Sequence, residues 1–127
     1  MQNTFSKNEK LCSKRSFAIL IDAKQSFYAG RLRVSFFFDL PAELVSAPCQ
    51  VAMVATKRDF KRAADRNLLK RRMREAYRIH KSPLLEQLLQ KGKNLSLLIR
   101  YNSREIRSFQ EIEQDMCLAL RQLIKKT

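Results

Sequence analysis

Between two short β-favouring runs, residues 50–56 and 95–101, lies a stretch of helical periodicity in which six of the thirteen side chains from Arg66 to Arg78 are basic. On a helix of 3.6 residues per turn Arg66, Lys70, Arg74 and Arg78 recur every fourth position and form one cationic stripe, with Asn67 and Arg71 beside it. Leu69, Met73, Ala76, Tyr77 and His80 form a core-facing edge. The segment therefore has one face for a core and one for water or a polyanion. Like charges at this spacing cost a few tenths of a kcal/mol per pair (about 0.2–0.5) in an isolated helix, so local helix stability does not explain them. A phosphate backbone would reverse the sign of that cost.

The remaining periodicities supply the other elements. Residues 13–21 predict a short amphipathic helix with a cap-like Ser13, apolar Phe17, Ala18, Leu20 and Ile21, and basic neighbours at Lys10, Lys14 and Arg15. Residues 31–40 (RLRVSFFFDL) predict a strand that ends at Pro41, with a shorter one over 25–29 before Gly30. Alternation puts Val34, Phe36 and Phe38 on one face. The run 50–56 (QVAMVAT) feeds directly into Lys57 and Arg58, two cations at a strand end. Asp59 is the expected N-cap of a helix running to about His80 and closed by Ser82-Pro83. Residues 84–89 extend as a further helical turn or two, and Lys91-Gly92-Lys93 breaks the chain before the strand 95–101. Ser103 or Asn102 is the expected cap of a last helix that keeps Ile106, Phe109, Ile112, Met116, Leu120 and Ile124 at helical spacing. The expectation is one α+β domain over residues 1–127, in the order α-β-β-β-α-β-α, with residues 1–10 as a flexible N-terminal segment.

Charge narrows the function. Lys and Arg number 26 against 12 Asp and Glu, a formal +14 on 127 residues, and residues 57–81 alone hold eleven bases and three acids. A surface of that kind binds nucleic acid or an anionic membrane. The longest apolar stretches fall far short of the roughly 20 residues a membrane span needs, so the expected location is cytoplasmic, with no membrane partner. Cys12, Cys49 and Cys117 are odd in number, widely spaced and not arranged as CxxC, and His80 is the only histidine, so neither a disulfide framework nor a zinc site is expected. A protein-only nuclease needs a carboxylate cluster for metals or an acid/base pair; the acids here are scattered, and no catalytic residue is assigned.

A small basic domain with Lys14 shortly before Phe17 in an N-terminal helix, a strand ending in Lys57-Arg58, and then A-x-x-R-N-x-x-K-R-x-x-R-E-x-x-R from Ala63 to Arg78 resembles the protein subunit of bacterial ribonuclease P. The resemblance runs from about Leu11 to Lys126. It implies an α/β sandwich with a four-stranded sheet and a left-handed β-α-β crossover. It also implies a non-catalytic partner of a catalytic RNA, one that helps remove the 5′ leader of precursor tRNA, with Mg²⁺ bound mainly by the RNA subunit and substrate and no obligate protein partner. On the matching positions, Arg62, Arg66, Asn67, Lys70, Arg71, Arg74 and Arg78 would contact the RNA subunit. Lys14, Phe17, Ile21, Lys57 and Arg58 would contact the leader.

Three positions depart from the family pattern. Leu68 stands where a basic residue is common, which removes a phosphate contact or passes it to Arg72. Asp59-Phe60-Lys61-Arg62 lacks the usual glycine and is one residue longer, and Ile21 replaces a frequent aromatic. Two residues carry alternatives: Phe17 reads as leader contact or as core, and Asn67 as RNA contact or as a local hydrogen bond near the helix start. The alternative function is a ribosomal-type structural RNA binder without a processing role.

Overall fold

The computed structural model describes residues 9–11 and 13–127, so Cys12 and most of the segment expected to be flexible lie outside the described residues. Helix α1 (Lys14–Ala23) starts at Ser13, whose hydroxyl accepts from the Ser16 N–H, and stops at Lys24 in the left-handed region. Strands β1 (Ser26–Ala29) and β2 (Leu32–Phe38) form a hairpin around Gly30-Arg31, and β3 (Cys49–Val54) follows a short 3-10 turn at Ala42–Leu44. Then come α2 (Ala63–His80), α3 (Ser82–Lys91), β4 (Leu95–Tyr101) and α4 (Phe109–Lys126). The sheet order is β1-β2-β4-β3; β3 runs parallel to β4 and the other pairs are antiparallel. This is the expected α+β architecture with one more helix.

Period-two alternation divides the sheet. Val34 on β2, Cys49 and Val51 on β3, and Leu95, Leu97, Ile99 and Tyr101 on β4 point into a core closed by Leu69, Met73, Ala76 and Tyr77 of α2, Leu84 and Leu88 of α3, and Ile112, Met116 and Leu123 of α4. Phe36 and Phe38 pack against that core as the alternation predicts, in edge contact with each other at 5.9 Å. The other face presents Arg33, Ser35, Leu98 and Arg100, and α1 lies over it. Burial pushes the Cys49 thiol up to about 12, so it is a neutral core group.

Four expectations change. Residues 84–89 belong to a separate helix: Pro83 sits in the first turn of α3, where a missing N–H costs nothing, so it opens a helix instead of closing one. Arg62, not Asp59, occupies the N-cap of α2, because the Asp59 carboxylate is taken by Thr56 and three arginines. Ser108 caps α4 in a reciprocal box with Glu111, which leaves Asn102, Ser103 and Ile106 in the preceding loop. Glu9 and Lys10, inside the segment expected to be flexible, are held: Lys81 Nζ donates to Glu9 Oε2 at 2.6 Å with its side chain only 2% exposed, and Lys10 bridges to Val51 along the outer edge of β3. No helix among the described residues is long and apolar enough to cross a membrane.

Candidate nucleic-acid interface

With Leu69, Met73, Ala76 and Tyr77 turned inward, the polar side of α2 faces solvent, but its cations do different work. Arg66 turns back over the helix start and donates to the carbonyls of Phe60 (2.8 Å) and Lys61 (3.0 Å). Arg72 donates to the Arg107 carbonyl before α4, so it is tied into the fold. Arg78 is paired with Glu75, whose carboxyl that hydrogen bond holds below the usual carboxylate range. Arg62 reaches Asp65 at 4.0 Å. Lys70, Arg71 and Arg74 have no such partner among the described residues. Asn67 is exposed and makes no local hydrogen bond among those residues.

These three cations are joined by one that the sequence pattern set beside the first helix and not beside α2. Lys10, carried along the β3 edge by its bridge to Val51, lines one shallow groove with Arg71, Arg74 and Arg78 and an adjoining one with Lys70 and Arg74. Nothing local in the sequence places it there, since the placement depends on the Glu9–Lys81 pair, 72 residues apart. Replacing Arg66 with glutamine removes two charge-assisted bonds to loop carbonyls. The expected result is a loss of about 1–2 kcal/mol in thermal or denaturant unfolding, since both bonds are at least partly reachable by water.

A second basic surface lies on the open face of the sheet. The C-terminal half of α1 and the sheet enclose a cleft lined by Leu20, Ile21 and Lys24 from the helix, and by Ser26, Arg33, Ser35, Leu98 and Arg100 from the strands. Ile21 is 63% exposed there. Phe17, one turn earlier on the same side of α1, is half-buried and outside the main core; Lys14 is exposed at the helix start. Lys57 and Arg58 are exposed in the turn after β3 and do not line the cleft itself. They approach it through Asp59, whose carboxylate pairs with both Arg58 and the cleft residue Arg100. Arg33 and Arg100, which face each other across β2 and β4, were missed by sequence reasoning. Their signal was available: alternation sets Arg33 opposite Val34 and Arg100 opposite Ile99, on the face the core does not use.

His80 ends α2 as expected and its Nε2 lies 2.9 Å from Glu113 Oε2 of α4, a helix-to-helix tie. Among the described residues no three His, Cys, Asp or Glu side chains come together in a way that could hold a metal ion. What the two surfaces present is arginine forks and ammonium groups, donors whose geometry suits phosphate oxygens.

A family model described as Ribonuclease P matches residues 5–126. The ribonuclease P protein component of Porphyromonas gingivalis is 29% identical over 111 residues, covering 87% of this chain and 80% of that protein. The solved structure of the Staphylococcus aureus RNase P protein superimposes with a TM-score of 0.64 at 18% identity, covering 94% of this chain and 95% of the other, which makes the fold the same. The chain belongs to the ribonuclease P protein family.

Proposed function

We propose that this chain is the protein subunit of a ribonuclease P that trims the 5′ leader from precursor tRNA, binding the catalytic RNA along α2 and the single-stranded leader in the cleft between α1 and the open sheet face. The observation that carries the first half is that Lys70, Arg71 and Arg74 stand together without an acceptor among the described residues. A duplex RNA groove presents the missing acceptors as phosphates and 2′-hydroxyls. The cleft suits a single strand because it joins an apolar wall, Leu20 and Ile21, to cations on its floor, Arg33 and Arg100. Within this reading Phe17 and Lys14 extend the cleft along α1, and Lys57 and Arg58 extend it past the end of β3. The RNA performs the hydrolysis; Mg²⁺ is held by that RNA and by the substrate, and the protein raises the effective affinity for both by lowering the local negative charge.

The test is cleavage of a 5′-extended precursor tRNA by the cognate catalytic RNA at low magnesium, with and without this protein. The expected result is stimulated, correctly placed cleavage that the protein alone does not perform. Absence of stimulation would move the weight to a structural RNA binder of ribosomal type, and cleavage by the protein alone would place an active site within it.

A further inference from the structure

The turn between β3 and α2 gathers more positive charge than one carboxylate can balance. Asp59, its side chain 7% exposed, accepts from the Thr56 hydroxyl at 3.0 Å. Three guanidiniums converge on the same carboxylate: Arg58 Nε and Arg104 Nε lie 3.8 and 3.7 Å from Oδ1, and Arg100 Nη2 lies 3.8 Å from Oδ2. All three separations exceed hydrogen-bond length, and none of these guanidiniums makes a hydrogen bond among the described residues. The Arg100 Nε is buried with no acceptor at all among those residues. Elsewhere in the fold, by contrast, Arg31, Arg66 and Arg72 donate to protein oxygens. Directly across the strand pair from Arg100 stands Arg33, another cation, where like charges are destabilising.

We propose that Arg58, Arg100 and Arg104, drawn together by Asp59, form a phosphodiester-binding site at the end of the cleft, with Asp59 as its positioning residue. The site is set for an anion: its forks are collected and held but their donors are left unspent, and the net charge of the four side chains is positive. Because Arg100 opens on the cleft floor, the phosphate it meets belongs to the single strand lying there and not to the RNA gripped by α2. The proposal rests on the reading of the cleft as the leader site. It adds Arg104 as a leader contact, assigns the cleft-floor Arg100 to a phosphate, and gives Asp59 a role opposite to the one its charge suggests.

The experiment uses the holoenzyme assembled with its catalytic RNA and measures equilibrium binding of two precursor tRNAs, one with a leader long enough to span the cleft and one whose leader stops short of it. Arg104→Gln, at a side chain 81% exposed, leaves the fold intact. It lowers affinity for the long-leader precursor about three- to tenfold and reduces its log-log salt slope by about 0.7, with no change for the short one. Asp59→Asn raises the net charge yet weakens long-leader binding, because the guanidiniums are no longer held together. If the parent prefers the long leader and Arg104→Gln keeps that preference in full, the site is overturned. Tighter long-leader binding by Asp59→Asn overturns the positioning role and leaves a purely electrostatic one. A parent with no leader-length preference overturns the reading of the cleft itself.

Discussion

Replacing Lys70, Arg71 and Arg74 together with glutamine lowers affinity for the catalytic RNA by about a thousandfold, since each lost charge-assisted contact is worth on the order of 1.5 kcal/mol. The log-log dependence on salt flattens by about 0.7 to 0.9 for every phosphate contact removed. A salt titration of equilibrium binding reads both numbers, and an unchanged slope would remove α2 from the interface. The same variant is expected to melt no lower than the parent. Lys70 and Arg74 repel each other at i,i+4 spacing, and neither stabilises a partner among the described residues. Arg66 behaves in the reverse sense, because its guanidinium closes the loop before α2. The stripe that looks uniform in sequence thus splits into cations that hold the protein and cations without a partner among the described residues.

That split marks where the sequence stops being legible. Periodicity located the strands, the inward edge of α2 and the cationic stripe, because each depends on spacing within a single element. It could not separate Arg66 from Lys70, since the difference lies in where the Phe60 and Lys61 carbonyls end up. Proline misled at position 83 because a residue that stops one helix also starts another, and Lys81 between α2 and α3 keeps right-handed helical angles. Asp59 has the side chain of a helix cap, yet Arg100, near the end of β4, and Arg104, just beyond it, take it. Lys10 and Arg100 join their surfaces through long-range pairings, in which neighbours in space are tens of residues apart in sequence.

Gly30→Ala is expected to cost about 3 kcal/mol, a fall of roughly 10 °C in Tm for a chain of this size, measured by thermal unfolding. Backbone strain and a steric clash both contribute. Gly30 has φ +58°, where a Cβ is disfavoured by about 1 kcal/mol. The clash costs more, because that Cβ would sit 2.0 Å from Asp115 Oδ1. Asp115, 6% exposed on α4, cannot simply swing away, because its Oδ2 accepts from both the Arg31 backbone N–H and Arg31 Nη1 at 3.1 Å, and Arg31 also reaches Glu111 at 3.3 Å. This clamp fixes the β1–β2 hairpin, and with it Ser26 and Arg33 of the cleft, to a helix on the far side of the sheet. The double variant separates strain from clash. With Asp115→Ala already in place, Gly30→Ala should cost only the backbone strain of about 1 kcal/mol; if the cost stays at the full value, the strain lies in the turn and the contact with α4 contributes none of it.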